Sequence, residues 1–306
     1  MKLALKIDVD TYRGTRDGVP RLMELLSQNE AGATFLFTLG PDHTGRAIKR
    51  VFRRGFLKKV SRTSVVKHYG LRTLMYGTVL PGPDIGLKCA PVMRSARDAG
   101  FEVGIHTWDH VLWQDRVAKA GAEWTALQMR LACDRFVEIF GEPARVHGAA
   151  GWQMNKTAFR LTQRLGFQYA SDTRGTTPFI PVLDGEIIAC PQLPTTLPTL
   201  DELIGTDGID ESSVADHLLA LTRKPPATGH VFTLHAELEG MRLAGVLERL
   251  LRGWRGQGYR LVSLSDYIDG LPAGLPHHKV AAGPVPGRYG DLMLQGPEFL
   301  PLAEVA

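Results

Sequence analysis

The sequence predicts an α/β fold in which parallel strands alternate with helices to form a β/α barrel. Short apolar segments recur along the 306 residues, and most of them are separated by segments with helical periodicity. Acidic residues or histidines follow several apolar segments directly. Catalytic groups gather at the carboxyl ends of the strands in a parallel barrel, so this placement favours the same architecture. Seven or eight strands are expected.

The predicted elements follow in order. Strand 3–10 is the run LALKIDVD, and helix 18–28 carries Val19, Leu22, Leu25 and Leu26 on one side. Strand 33–39, helix 85–99, strand 101–106 and helix 123–140 come next, and Gly100 and Gly141 end the two helices. The remaining elements are strand 145–150, helix 155–165, strands 168–171 and 186–189, helix 212–222, strand 230–235, helix 242–255 and strand 259–263.

Two segments interrupt this rhythm and set the domain limits. Residues 44–83 form an insertion, and residues 46–72 contain ten Lys or Arg but no Asp or Glu. Subtracting these ten from the formal net charge of +4 leaves −6, so the basic character is local. Residues 269–306 are rich in proline and glycine and are predicted to form a peripheral tail beside a barrel of residues 1–268.

The cysteine content and the hydropathy indicate the compartment. Cys89, Cys133 and Cys190 are odd in number and far apart, which is typical of reduced thiols on the cytosolic side. The amino-terminal apolar run is too short for a signal peptide. No stretch of about 18 uninterrupted apolar residues occurs, so no transmembrane helix is expected.

The segment FEVGIHTWDH at 101–110 carries the clearest sign of a metal site. His106 and His110 are four residues apart, so one helical turn can aim both imidazoles at one point. Asp8 and Asp10 end the first strand. One carboxylate and two imidazoles make a three-ligand site with room for water. A non-haem iron oxygenase uses the same donors but would leave further strand-end groups unexplained.

Two more titratable residues end predicted strands. Asp172 follows strand 168–171, and His235 ends the strand HVFTLH. Either residue alone is compatible with a polar loop position or a helix cap. The barrel rule predicts that both side chains face the mouth that also holds the candidate metal ligands.

The motifs Asp-Val-Asp, His-Thr-Trp-Asp-His and Thr-Leu-His resemble those of the metal-dependent polysaccharide deacetylases over about residues 1–268. The resemblance implies a distorted β/α barrel and amide hydrolysis with a divalent ion such as Zn, Co, Mn or Ni. It also implies that Asp10, His106 and His110 are metal ligands, Asp8 the general base and His235 the general acid. These roles agree with metal-assisted hydrolysis.

The chain departs from that family at one motif. Most members carry an arginine that holds the base after a middle strand, but the corresponding segment here is Ala149–Trp152 without an arginine. Trp152 is either a core residue or a wall for a sugar face. Arg174 is the candidate replacement partner for Asp8, and Arg174 and Asp172 are grouped with Trp152 as substrate-binding residues.

Further segments, including AAGWQ, SDTRG and TLHAELEG, resemble one branch of the family. Its members remove formate from a formamido-arabinose linked to undecaprenyl phosphate, which provides the free amine for lipid A modification and resistance to cationic peptides such as polymyxin. The alternative is a metal-dependent N-deacetylase of another amino sugar or of a cell-wall glycan. A third alternative is a membrane-binding barrel without activity.

The basic insertion predicts membrane docking. Residues 48–60 place apolar side chains at helical spacing with cations on the other side, as in helices that lie in anionic membrane surfaces. The candidate docking residues are Arg50, Phe52, Arg53, Arg54, Phe56, Lys58 and Lys59. The expected location is the cytoplasmic face of the inner membrane. An ordinary helix packed on the barrel is the alternative, and nucleic acid binding is disfavoured because few aromatic residues interleave the cations.

Overall fold

The structure, a computed structural model, describes residues 1–47, 72–272 and 274–300. All seven candidate docking residues lie outside these ranges, so their predicted role remains a prediction; they are Arg50, Phe52, Arg53, Arg54, Phe56, Lys58 and Lys59. In the described part of the chain, no helix has the length and apolar character needed to cross a membrane.

The described residues alternate strands and helices along most of the chain. The strands are β1 Lys2–Val9, β2 Thr34–Thr38, β3 Glu102–Thr107, β4 Val146–His147, β5 Tyr169–Ala170, β6 Ile180–Leu183, β7 Glu186–Ile187, β8 His230–His235, β9 Arg260–Val262, β10 His277–Pro284 and β11 Asp291–Glu298. The α-helices are α1 Val19–Gln28, α2 Ile85–Asp98, α3 His110–Arg116, α4 Ala122–Phe140, α5 Lys156–Arg164, α6 Leu200–Leu203, α7 Val214–Leu221, α8 Ala244–Gly256 and α9 Leu264–Ile268. Single helical turns of other types cover Gly14–Gly18, Thr73–Met75, Val117–Lys119, Ala150–Trp152 and Leu238–Arg242.

The main sheet is parallel, and β1 pairs with three of its strands, β2, β8 and β9. Its strands run in the order β5-β4-β3-β2-β1-β8, and β9 pairs with the first residues of β1. The register places Asp8 of β1 beside Leu36 of β2 on one side and His235 of β8 on the other. Neighbouring residues in register point to the same face of a sheet, so Asp8 and His235 share one face.

An irregular segment, residues 191–196, closes the sheet into a barrel. Its amino-terminal part pairs with β5, where the Ala170 N–H donates to Pro191 O at 2.8 Å. Its far end reaches β8, where the Thr196 N–H donates to Val231 O at 3.0 Å. Pro191 and Pro194 lack the N–H group that a regular strand needs, which explains why the closure is irregular. The predicted distorted β/α barrel is confirmed.

A second sheet lies outside the barrel and corrects one expectation, that strand 186–189 belongs to the barrel. Its strands run in the order β11-β10-β6-β7. The predicted strand 186–189 contributes β7 to this sheet and not to the barrel. The tail residues 277–298 form the antiparallel pair β10 and β11, and β10 joins β6 in parallel. The pairing of β10 with β6 connects segments about 100 residues apart, so local sequence patterns do not reveal it.

Alternation along β1 separates the outer core from the barrel interior. Leu3, Leu5, Ile7 and Val9 belong to the large apolar core, which also contains helix residues. Ala4 belongs instead to a small apolar cluster drawn from several strands, which fills the base of the barrel; its other buried members are Leu36, Val146, Tyr169, Leu193, Val231, Val262, Leu264 and Tyr267. The next inward positions of β1 are Lys6 and Asp8, so polar groups begin directly above this plug.

Candidate active site

The two carboxylates of β1 lie at the mouth of the barrel. Asp8 is 2% exposed and Asp10 is 7% exposed. Alternation along the strand directs Asp8 into the interior, and Asp10 follows one residue after the strand ends. Oδ1 of each carboxylate is buried without a hydrogen-bond partner among the described residues. Buried carboxylate oxygens without partners are costly, and a cation or a reacting group would satisfy them.

His106 and His110 reach the same mouth from β3 and α3. His106 is the penultimate residue of β3, at the end of the strand that faces the mouth, and His110 is the first residue of α3. Asp109 caps this helix, because its side chain accepts a hydrogen bond from the Leu112 N–H at 3.0 Å. The cap starts a helical turn immediately after the strand. The two imidazole rings stack with their centroids 5.3 Å apart. His106 is still in the strand and residues 108–109 form a bend, so the helical turn predicted between the two histidines is wrong.

One oxygen and two nitrogens converge on one point. Asp10 Oδ1 lies 3.2 Å from His106 Nε2 and 3.3 Å from His110 Nε2. The ligand atoms of the three residues all lie within 4.8 Å of one another. Donors about 2.1 Å from a zinc-like ion in a tetrahedral site are separated by about 3.4 Å, so these distances fit a divalent metal. The structure thus brings together the three residues proposed as ligands.

A backbone hydrogen bond sets the orientation of His106. Its Nδ1 lies 2.6 Å from the carbonyl oxygen of Gly148, which follows β4. A carbonyl oxygen only accepts hydrogen bonds, so Nδ1 carries the proton and Nε2 keeps its lone pair. The ligating atom is thereby aimed at Asp10.

Charge at the cluster alters the pKa of Asp10 and His106 in opposite directions. Burial alone would raise the pKa of Asp10, but His110, His106 and His235 lower it below the ordinary value of 3.8. Burial alone would lower the pKa of His106, but Asp8 and Asp10 raise it above 6.5. Asp10 is therefore an anionic donor, as binding to a divalent cation requires.

His235 lies across β1 from the histidine pair. It is in register with Asp8 on β8, whereas His106 comes from β3, two strands away on the other side. Its backbone N–H donates to Glu239 Oε2 at 2.8 Å, and its Nδ1 is buried without a hydrogen-bond partner in the described ranges. Hydrolysis of an amide needs a proton donor for the leaving group, and histidine is the side chain that most often serves as one.

Two buried glutamates support the site and were not identified from the sequence. Glu237 Oε1 accepts hydrogen bonds from the Asp10 and Thr11 N–H groups at 3.1 and 2.8 Å. Burial, with the Asp10 charge, raises the pKa of Glu237 well above 4.5. A Cβ atom at Gly14 would lie 1.9 Å from Glu237 Oε1, so this carboxyl needs glycine at that position. The signal in the sequence was an acidic pair within the run HAELEG.

Glu239 should make stability fall as the pH rises. Burial raises its pKa to about 7, although His235 acts in the opposite direction. The folded protein therefore binds an extra proton between the ordinary pKa of 4.5 and about 7, and stability decreases with pH across that window. The full effect of such a shift is about 3 kcal/mol at most. Thermal unfolding of Glu239→Gln should show a shallower decrease in Tm from pH 4.5 to 7.

The exposed Glu138 provides the control, since Glu138→Gln should keep the pH dependence of the wild-type protein. An identical dependence in wild type and Glu239→Gln would contradict the prediction.

Arg174 is not the partner of Asp8, which corrects the sequence prediction. Its Nη1 lies 2.5 Å from Glu202 Oε1, and its Nη2 donates to Leu197 O at 3.0 Å. The cation beside Asp8 is Lys6, whose Nζ lies 3.4 Å from Asp8 Oδ2. The lysine is two residues before Asp8 on the same strand, and alternation puts both side chains in the barrel interior.

The structure buries both Trp152 and Asp172, which were grouped as substrate-binding residues. Trp152 is 1% exposed, and Arg174 Cζ and Arg288 Cζ each lie 4.9 Å from its ring centroid. This burial favours the first of the two alternatives for Trp152, a core residue, over a wall for a sugar face. Asp172 is fully buried and accepts hydrogen bonds from His147 Nδ1 at 2.7 Å and the Ala149 N–H at 2.8 Å. It holds the loop after β4 in place.

Comparison with known proteins identifies the family. The polysaccharide deacetylase family model matches residues 3–170. A probable 4-deoxy-4-formamido-L-arabinose-phosphoundecaprenol deformylase of Shewanella sediminis is 38% identical over 96% of this chain and 94% of its own length. A protein of the same name from Wigglesworthia glossinidia brevipalpis is 32% identical over 92% of this chain and 98% of its own length.

A solved structure supports the same assignment at the level of the fold. A protein from Mycobacterium smegmatis, described as of the polysaccharide deacetylase type, superposes with a TM-score of 0.59. The two chains are 16% identical, and the superposition covers 88% of each. Together with the matched family model, these similarities show that the chain belongs to the polysaccharide deacetylase family.

Proposed function

We propose that this protein is a metal-dependent deformylase that removes formate from 4-deoxy-4-formamido-L-arabinose-phosphoundecaprenol. The observation that carries this proposal is the convergence of Asp10, His106 and His110, with Asp8 and His235 in register on the neighbouring strands β1 and β8. Similarity to the two deformylase relatives over nearly their whole length supports the substrate. The free amine that results would serve lipid A modification and resistance to cationic peptides.

Asp10, His106 and His110 would hold the divalent ion. When bound, this ion supplies Lewis acidity that lowers the pKa of a water molecule and stabilises negative charge on the amide oxygen. One carboxylate and two imidazoles suit Zn, Co, Mn and Ni alike, and the proposal covers all four.

Asp8 and His235 would move the protons of the reaction. Asp8 Oδ1, buried and without a hydrogen-bond partner among the described residues, takes a proton from water as the water oxygen bonds to the formyl carbon. The bond between this carbon and the sugar nitrogen then breaks, and His235 donates a proton to the departing nitrogen. Formate and the free amine result, and one water molecule is consumed.

The test compares a formamido sugar with an acetamido sugar. Purified protein in detergent should release formate from the lipid-linked formamido-arabinose, and a chelator should abolish the release. Acetate release from an N-acetyl amino sugar or from a cell-wall glycan should be at least about a hundredfold slower in kcat/KM, a difference of roughly 3 kcal/mol. Faster acetate release would establish the deacetylase alternative and overturn the proposed substrate.

We also propose peripheral binding to the cytoplasmic face of the inner membrane. The proposal rests on the apolar and basic pattern of residues 48–60, which is typical of helices that lie in a membrane surface. A polyprenyl-linked substrate stays in the membrane, so the enzyme that acts on it has to bind there. Each cation near an anionic surface contributes about 1 kcal/mol. The triple variant Arg53→Gln, Arg54→Gln and Lys58→Gln should therefore bind anionic vesicles about a hundredfold more weakly in a sedimentation assay.

The matched control replaces Arg249, Arg252 and Arg255 of α8, three exposed arginines, by glutamine. This control should bind vesicles as the wild type does. No sedimentation of the wild type with anionic vesicles, even at low salt, would exclude membrane docking.

A further inference from the structure

Lys6 is a fully buried cation in the interior of the barrel. Its exposed fraction is 0%, and it lies on β1 between Ala4 of the apolar plug and Asp8 of the mouth. A lysine removed from water is strongly unfavourable unless its charge is paired and its protons are bonded. The position of Lys6 thus requires partners, and the contacts of its Nζ show which groups these are.

Three groups surround the ammonium of Lys6. Nζ donates a hydrogen bond to Ser171 O at 3.1 Å and lies 3.4 Å from Asp8 Oδ2. It also lies 5.1 Å from the centroid of the buried Trp152 ring, within the range of a cation–π interaction. Ser171 follows β5 and Trp152 follows β4, so fixed elements of the barrel hold Nζ in place.

Gly148 leaves the space that the Lys6 side chain occupies. A Cβ atom at Gly148 would lie 3.0 Å from Lys6 Cε and 2.3 Å from Leu36 Cδ1. Any larger residue would displace the lysine stem or the plug beneath it. Gly148 also supplies the carbonyl oxygen that accepts from His106 Nδ1, so the same residue touches the lysine and the metal site.

The pairing leaves the two oxygens of Asp8 in different situations. Oδ2 faces Lys6, whereas Oδ1 is buried without a hydrogen-bond partner among the described residues and lies 3.7 Å from His106 Nδ1. A carboxylate held at one oxygen has its other oxygen fixed in direction. A general base needs such placement, since proton transfer depends on a short, aligned contact.

We propose that Lys6 is a positioning residue that holds Asp8 through Oδ2 so that Oδ1 faces the reacting water. This inference rests on the proposed function, because it assigns Asp8 the part of the base. Lys6 has no exposed surface and acts only through Asp8. Its loss should therefore lower turnover without weakening substrate or metal binding.

The first experiment measures formate release by Lys6→Met and Lys6→Arg. Lys6→Met should lower kcat by about thirtyfold to a hundredfold, with KM and metal content within about twofold of wild type. Lys6→Arg keeps a cation near Oδ2 and should recover kcat to within about tenfold of wild type. Loss of metal from Lys6→Met, or no recovery in Lys6→Arg when both variants are folded, would contradict positioning.

The second experiment repeats Lys6→Met in an Asp8→Asn background. If Lys6 acts through Asp8, the lysine substitution should change the residual kcat by no more than about twofold there. Arg174→Met is the matched control, because Arg174 is a buried cation over the same Trp152 ring but is paired with Glu202. Arg174→Met should change kcat by the same factor in the wild-type background and in the Asp8→Asn background. An equal effect of Lys6→Met in both backgrounds would overturn the proposal.

Thermal unfolding separates this inference from the proposed substrate. Each single variant leaves one buried charge without its partner, whereas the double variant Lys6→Met and Asp8→Asn removes both charges. The double variant should thus melt no lower than the less stable single variant. If the variants show this coupling but the wild type releases no formate, the pairing of Lys6 with Asp8 stands and the proposed substrate is wrong. Additive decreases in Tm would overturn the pairing whatever the activity.

Discussion

Replacement of Asp8 by asparagine should lower kcat for formate release by about a thousandfold. General base catalysis contributes about a hundredfold to ten-thousandfold, and Asp8 Oδ1 is a buried carboxylate oxygen without a hydrogen-bond partner among the described residues, 3.7 Å from Nδ1 of the proposed ligand His106. Asparagine is nearly isosteric but does not accept the proton. Metal content, measured by elemental analysis, should remain at the wild-type value because Asp10, His106 and His110 are unchanged.

Asp17→Asn is the control for this prediction. Asp17 belongs to the turn that follows β1, and its carboxylate is partly exposed and paired with Arg16. Its replacement should leave kcat within about twofold of wild type. Turnover of Asp8→Asn close to wild type would show that another group takes the proton, and it would remove the basis for the proposed part of Lys6.

Replacement of His106 by alanine should remove both the metal and the activity. The three donors are contributed by one carboxylate and two imidazoles, and loss of one imidazole leaves two ligands from the chain. Losing even a partner of a ligand typically weakens metal affinity by about tenfold to a hundredfold, and losing a ligand should weaken it more. We expect metal below about a tenth of an equivalent after dialysis, with formate release at background.

His147→Ala is the matched control for the metal. His147 is a buried histidine on the neighbouring strand β4, and its Nδ1 is paired with Asp172 and not with the Asp10 cluster. This variant should lose stability but keep its metal. Full metal content in His106→Ala would contradict the proposed ligand set.

Strand-end chemistry explains why much of the site could be predicted from the sequence. A parallel barrel brings the ends of its strands together, so Asp8, Asp10, His106 and His235 needed only correct strand assignments to be placed at one mouth. The spacing of His106 and His110 predicted a helical turn between them, but His106 is in β3, residues 108–109 bend and Asp109 caps the helix that begins at His110. The resemblance to a known family then assigned the individual roles.

Long-range contacts explain what the sequence did not reveal. Lys6 lies within an apolar run, and its pairing with Asp8 depends on which face of β1 is interior and on the Ser171 carbonyl 165 residues away. The partner of Arg174, Glu202, belongs to a separate helix, α6. Such pairs are set by tertiary packing, whereas sequence patterns report local periodicity.

The second sheet shows the same limit. Proline and glycine in residues 272–306 suppress any regular pattern, yet β10 and β11 pair with each other and with β6. Arg288, from the turn between them, reaches back to Glu202 with an Nε to Oε1 distance of 2.7 Å. This tail is therefore joined to the barrel through a buried carboxylate that also binds Arg174.

The central claim is that Asp10, His106 and His110 form the metal centre of a deformylase. The most direct measurement is a titration of metal-free protein with Zn, Co, Mn or Ni while formate release from the lipid-linked formamido-arabinose is followed. Release should be absent without metal, rise with added metal and saturate at one equivalent per chain. Formate release by fully metal-free protein, or saturation unaffected by His106→Ala, would contradict the claim.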